Sequence, residues 1–246
     1  MNGARRICLT FDIDWAHDEV IEATRSLLEG AGVSEATFFA THATPVLERL
    51  ERSGFEVGIH PNFNPLLDGV AGGSAESIVD SLMRLVPNAR SVRSHSLTRS
   101  ARLSQVFRAA GLTHESNIML PLRAGAAVGP FEQPGGLLQV PFHWGDYDTL
   151  SRGGALDARG LLDARGLLDA PGDKVVNIHP VHVYLNTEHL ERYEAARGLL
   201  GDAGALGARR NRARFGVADF LKELIEMAAK SGYAPVAMRQ MRASHG

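Results

Sequence analysis

Residues 7–14 read ICLTFDID, an apolar run that ends in two carboxylates one residue apart. A strand points residues i and i+2 to the same side. The pattern therefore predicts a buried strand, extended back through Arg5 and Arg6, with Asp12 and Asp14 on one face. Two like charges at that spacing repel. The cost must be offset by a bound cation, a neighbouring arginine or a raised pKa.

The rest of the chain repeats a strand followed by a helix. The stretch 17–30, HDEVIEATRSLLEG, places Val20, Ile21, Thr24, Leu27 and Leu28 on one helical face and stops at Gly30 and Gly32. ATFFATH (36–42) predicts a second strand, PVLERLERSG (45–54) a short helix and EVGIH (56–60) a third strand. SAESIVDSLMRLVP (74–87) predicts a helix capped by Ser74 and stopped by Pro87. SVRSHS (91–96) and ARLSQVFRAAG (101–111) predict a strand and a helix. THESNIM (113–119), LLQVPFHW (137–144) and KVVNIHPVHV (174–183) predict further strands. Helices are expected over 186–198 and 217–232, with a late strand at APVAM (234–238).

This order implies a largely parallel sheet, open or closed into a barrel, with functional groups at the carboxyl ends of the strands. The chemically distinctive residues fall at those ends: Asp12 and Asp14, His42, His60, Arg93 and His95, then Trp144 with Asp146, and His179 with His182. If the strands are neighbours, these side chains share one mouth.

The 246 residues, 44% apolar and 22% charged, suit a single domain over 1–246 with a sizeable core. A net charge of −2 argues against a nucleic-acid partner. The single cysteine, Cys8, has no internal disulfide partner and is expected in the core. The first residues lack the long apolar core of a leader peptide, and no stretch approaches the roughly 20 apolar residues of a membrane span. The expectation is a soluble, cytoplasmic protein of undetermined oligomeric state.

Two segments are irregular. Residues 155–172 hold near-identical hexads, ALDARG, LLDARG and LLDAPG, expected as a loop or short amphipathic helix. Residues 199–214 end in ARRNRAR and predict a mobile loop, whose arginines at 208–214 would suit a phosphate.

The chain has no G-x-G-x-x-G, P-loop or G-x-S-x-G motif, which disfavours dinucleotide enzymes and triad hydrolases. Aspartate and histidine at strand ends suit a divalent cation with a place left for water. One carboxylate of the pair would then bind the cation while the other takes a proton.

LTFDID, GFEVGIHPNFNP, SVRSHS and VVNIHP, in this order, with ATFFATH between the first two, resemble the motifs of the polysaccharide deacetylases of the NodB-homology family, in its WbmS-like branch. The resemblance runs from about residue 6 to about residue 240. It implies a distorted (β/α) barrel of about seven parallel strands. It also implies hydrolysis of an N-acyl group, foremost acetyl, from an amino sugar with the help of a divalent metal. Zinc is favoured over cobalt, nickel, manganese or iron(II). Carried over residue by residue, Asp12 is the base, Asp14 and His60 are metal ligands, Arg93 positions the base and His179 is the acid. The family's second motif has another histidine where this chain has Asn64. His95 is the favoured third ligand, and the Asn64 amide oxygen is the alternative. His182 and Asp146 are read as groups that orient others or meet substrate, and Trp144 and Phe63 as apolar walls for a sugar face. The substrate expected is a nucleotide- or lipid-linked precursor of a surface polysaccharide such as O-antigen. An amidohydrolase acting on an N-formyl or non-sugar amide, and a non-catalytic sugar-binding relic of the fold, remain open.

Overall fold

The computed structural model describes residues 5–70, 72–121, 129–152, 156 and 165–243. At the centre lies β1 (Arg5–Asp12), flanked in parallel by β2 (Thr37–Ala40) and β9 (Lys174–Ile178). Parallel pairing continues from β2 through β3 (Glu56–Ile59) and β4 (Ser91–Val92) to β5 (His114–Glu115). β6 (Phe131–Glu132) runs antiparallel to β7 (Leu138–Gln139), which pairs in parallel with β5. β8 (Trp144–Gly145) pairs in parallel with β9, and β10 (Tyr233–Pro235) lies along the start of β1.

The expected distorted (β/α) barrel is present, and one stretch curls the sheet round. Backbone amides of Leu138, Val140 and Phe142 donate to Thr113, Glu115 and Ile118, while the next amide, His143, donates to Val175. Residues 138–145 thus join the β5 side of the sheet to the β9 side. The strand expected over 137–144 is split by this crossing into β7 and β8. The strand expected over 113–119 shortens to β5, because Asn117 gives its side-chain oxygen to the Ser94 amide and so competes with the ladder.

Strand alternation sorts the core. Ile7, Leu9 and Phe11 face one apolar cluster that includes helix residues, with Val176 and Ile178 of β9 beside them. Cys8 and Val175 face the barrel interior with Phe39, Phe142 and Met238. Cys8 is fully buried there, and burial pushes its thiol far up, as expected of a small core residue. Around the sheet run α1 (Asp18–Gly30), α2 (Val46–Arg52), α3 (Asn64–Leu67), α4 (Ala75–Leu85), α5 (Ala101–Ala109) and α6 (Asp146–Ser151). Then follow α7 (helical at residues 165–169), α8 (Pro180–Leu185), α9 (Leu190–Ala196), α10 (Ala203–Ala208) and α11 (Val217–Lys230). Val20, Ile21, Thr24 and Leu28 are the buried face of α1, and His17 caps it by accepting from the Glu19 amide. Ser74 caps α4 in a reciprocal box with Ser77.

Two expectations are corrected. The run 174–183 is not one strand: Pro180 opens α8, a position where its missing N–H costs nothing. The stretch 199–214 is built rather than loose. It contains α10, and buried Asn211 exchanges hydrogen bonds with Leu185, Asn186 and Arg214. Of the hexads, residues 155 and 157–164 lie outside the described residues. Among the described residues no helix is long and apolar enough to cross a membrane.

Gly58 on β3 marks a tight approach. A Cβ there would stand 2.6 Å from the Ser91 carbonyl oxygen and 2.9 Å from the Phe39 ring. Backbone on a neighbouring strand cannot swing aside as a side chain can. Gly58→Ala is expected to cost about 1–3 kcal/mol, read as a fall in Tm; an unchanged Tm would show that β3 and β4 are free to part.

Candidate active site

The strand-end groups do converge, though by a route that strand alternation alone does not give. β1 stops at Asp12. Ile13 is buried, and Asp14 and Trp15 take left-handed backbone conformations, φ 38° and 55°. That turn brings the Asp14 carboxylate back over the mouth. A second left-handed pair, Ser96 and Leu97 at φ 57° and 54°, follows His95. Such conformations cost non-glycine residues of order 1–3 kcal/mol each, and both flank this site.

Asp12 is buried and held on both oxygens. Arg93 Nη1 donates to Oδ1 at 3.0 Å, and Asn177 Nδ2 donates to Oδ2 at 2.8 Å. Arg93 has no exposed surface. Its Nη1 also donates to Thr10 Oγ1 at 2.8 Å and Asn177 Oδ1 at 2.7 Å, and its Nε and Nη2 donate to the Ser116 carbonyl and hydroxyl. Phe39 and Phe142 sandwich the guanidinium, with ring centres 4.7 and 5.0 Å away. Burial alone would raise the Asp12 pKa, but Arg93 and the nearby histidines hold it below the usual carboxylate range.

Asp14 gathers imidazoles. Its Oδ1 lies 3.2 Å from His60 Nε2 and 3.2 Å from His95 Nδ1. The ligand atoms of Asp14, His60 and His95 lie within 4.8 Å of one another. One carboxylate oxygen and two imidazole nitrogens form a donor set that suits zinc and its neighbours. Burial opposes ionisation here too, yet the His60 and His95 contacts hold the Asp14 pKa far below its ordinary value. Among the described residues buried His60 Nδ1 has no hydrogen-bond partner, and a carboxylate oxygen of Asp12 is 3.8 Å away. Asn64 stays out of the cluster: its side-chain amide donates to Ser96 Oγ at 3.0 Å, within the turn that carries His95.

Across the mouth, His179 is locked by Asp146. Its Nδ1 lies 2.7 Å from Asp146 Oδ1, and its backbone amide donates to Oδ2 at 2.7 Å. Its other nitrogen, Nε2, faces Asp14 Oδ2 at 3.6 Å and Asp12 Oδ2 at 4.0 Å. Burial would lower the His179 pKa, but Asp146, Asp14 and Asp12 outweigh it and raise the value to about 10. His182, one turn on in α8, is buried beside His179, with Nδ1 3.1 Å from Thr187 Oγ1, and burial lowers its pKa to about 4. Asp146, His179 and His182 also lie close enough to group, but both Asp146 oxygens are committed to His179.

A cavity of about 490 Å³ joins these groups. Its apolar wall is not the one expected. Trp144 stacks on Phe220 at 4.1 Å, and Phe63 packs on Phe107; both are buried in the core off the cavity. Leu97, Met119, Phe142, Tyr147 and Tyr193 take their place. Nor does the 208–214 arginine segment line the cavity. Arg210 instead donates to the carbonyls of Val183 and Tyr184 on α8. Sequence reasoning missed Asn177, although an amide in the apolar strand VVNIHP, two residues before His179, carries the same inward signal as Thr10 before Asp12.

A curled barrel with its titratable groups gathered at the mouth has the architecture of an enzyme domain. More narrowly, the chain belongs to the WbmS-like polysaccharide deacetylase family, whose sequence profile matches residues 9–197. It is similar to the crystal structure of WbmS from Bordetella bronchiseptica, assigned as a polysaccharide deacetylase of O-antigen biosynthesis: 38% identity over 90% of both chains, TM-score 0.79. A Mycobacterium smegmatis structure assigned as a polysaccharide deacetylase shares the fold at 16% identity, covering 98% of this chain and 90% of that one, TM-score 0.62. So does the peptidoglycan deacetylase PdaC of Bacillus subtilis at 16% identity, 97% and 90% coverage, TM-score 0.52. No curated protein matches the chain.

Two measurements test this geometry. Metal content by mass spectrometry should be about one ion per chain in wild type, lost in His95→Ala and kept in Asn64→Ala; loss in Asn64→Ala alone would make Asn64 the ligand. Arg93→Ala strands the Asp12 charge in the interior and should cost about 3–5 kcal/mol in denaturant unfolding. Adding Asp12→Ala should recover part of that; a strictly additive double variant would show that the pair is not coupled.

Proposed function

We propose that this chain hydrolyses the N-acetyl group of an amino sugar within a surface polysaccharide or its precursor, using a divalent cation held by Asp14, His60 and His95. The carrying observation is the pair of opposed proton-handling groups: Asp12 clamped by Arg93 and Asn177, and His179 clamped by Asp146, both facing one cavity beside that ligand set. Membership of the deacetylase family supports the reaction class, and the WbmS likeness supports a surface-polysaccharide context.

When bound, a divalent cation supplies a Lewis acid and lowers the pKa of bound water toward about 7. The chain's own residues do the rest. Asp12 is kept ionised by Arg93, so it accepts the proton of the attacking water. Asn177 keeps the carboxylate from turning. His179 presents Nε2 to the opposite side of the scissile amide and gives its proton to the departing amine, while Asp146 accepts from Nδ1 and so fixes the tautomer. His182 packs behind His179 and limits its rotation. The cavity wall of Leu97, Met119 and Phe142 offers the apolar surface an acetyl methyl requires.

General acid–base groups contribute about 10²–10⁴-fold. Acetate release from N-acetylated sugar oligomers should fall by about that factor in Asp12→Asn and in His179→Ala, with the metal retained in Asp12→Asn. Near-normal turnover in Asp12→Asn would reverse the assignment of base and ligand. Faster release of formate from N-formyl sugars than of acetate would move the substrate class.

A further inference from the structure

The barrel has a second end, and a buried acid there has no task in the reaction above. Glu56, the first residue of β3, is 2% exposed. Its Oε1 accepts from Ser91 Oγ at 2.6 Å. Its Oε2 accepts from Thr37 Oγ1 at 2.9 Å and from the Arg239 backbone amide at 2.9 Å. A carboxylate at that depth is costly unless its oxygens are met, and here three donors meet them. Thr37 and Ser91 are likewise the first residues of β2 and β4. The amino ends of three neighbouring strands are thus joined, through one carboxylate, to the late segment 236–241, which holds a single 3₁₀ turn (Met238–Gln240). Other bonds fasten the same segment. The Val236 amide donates to the Ile7 carbonyl at 3.0 Å, the Met238 amide to Thr37 Oγ1 at 2.8 Å, and His114 Nε2 to the Met241 carbonyl at 3.3 Å.

The side chains that this segment turns inward bear on the mouth. Met238 and Met241 are fully buried, in the cluster that also holds Phe39 and Phe142. Those two rings sandwich Arg93, and Arg93 holds Asp12 Oδ1. Packed side chains therefore run from the floor of the barrel to the proposed base. A close-packed interior passes the loss of a few atoms on to its neighbours, because the surroundings relax only in part. We propose that the segment 236–241 is a positioning element for the reaction. Met238 and Met241 support the aromatic clamp on Arg93 from below, and Glu56 is the latch that keeps them there. The effect on turnover rests on the deacetylase reading, whereas the hold on Arg93 does not.

The test uses the metal-loaded full chain and N-acetylglucosamine oligomers. Met238→Ala should lower kcat for acetate release about tenfold or more, with KM within about twofold of wild type. Metal content should stay equal, because none of Asp14, His60 and His95 belongs to the cluster around Met238. Met238→Leu refills the space and should return most of the loss. Glu56→Gln keeps the shape of the latch and weakens it, so kcat should fall by a smaller factor; this variant carries the test if Met238→Ala does not fold. A second readout is independent of turnover. The Arg93 Nε–H signal, identified in NMR spectra by its loss in Arg93→Lys, should exchange slowly with solvent in wild type and about tenfold or more faster in Met238→Ala. An unchanged kcat in both Met238→Ala and Glu56→Gln, even with a lower Tm, makes the segment a structural part only and overturns the proposal. Faster exchange at Arg93 in Met238→Ala, when the wild type releases no acetate, keeps the hold on Arg93 and overturns the deacetylase reading instead.

Discussion

The Arg93–Asp12 pair holds the interior of this barrel together. A guanidinium with no solvent contact is tolerable only if nearly every donor is satisfied and its charge is met. Here the partners come from three strand regions, Thr10 and Asp12 from β1, Ser116 just past β5 and Asn177 from β9, and Arg93 itself follows β4. The strands that carry the mouth are thus tied to one planar group. Two aromatic rings close over its faces, which keeps water from competing for its donors. Gly58 belongs to the same arrangement, because the space its missing Cβ leaves is filled by the Phe39 ring that lies on Arg93.

This answers the cost posed by two neighbouring carboxylates, and the answer is different for each. Asp12 is offset by an arginine, Asp14 by histidines, and neither pKa is raised. The separation follows depth. Asp12 lies under the mouth, clamped on both oxygens, where its orientation cannot drift. Asp14 lies on a left-handed turn at the rim, partly exposed, where a ligand can come and go. A group that handles a proton gains from rigidity. A group that captures a cation needs access.

Much of this was legible in the sequence because it rests on local pattern. Strand alternation in ICLTFDID put Asp12 and Asp14 on one face, of which β1 carries only Asp12, and the repeating order of elements placed His60, Arg93, His95 and His179 at one end. The rest depends on contacts made at a distance. Periodicity cannot distinguish Trp144 in the core from Trp15 at the rim, since α11 decides the first and Thr41 with His95 the second. Nor does it show that Arg210 is used on the end of α8, or that 138–145 crosses from one side of the sheet to the other. The Pro180 helix start was legible, and reading 174–183 as one strand passed over a proline where a helix can begin. The left-handed pairs at Asp14–Trp15 and Ser96–Leu97 contain no glycine to announce them.

The Ser96–Leu97 turn shows where the Asn64 side chain is used. Asn64 donates to Ser96, and Ser96 is in the left-handed turn immediately after His95. The amide at position 64 therefore braces the segment that presents an imidazole, instead of presenting one itself. Geometry limits how many changes such an exchange needs. His95 and His60 rings meet edge to face, with centres 5.5 Å apart, and a nitrogen of each lies 3.2 Å from the same Asp14 oxygen. Asp12 has no such latitude, because Arg93 Nη1 holds one of its oxygens and Asn177 Nδ2 the other.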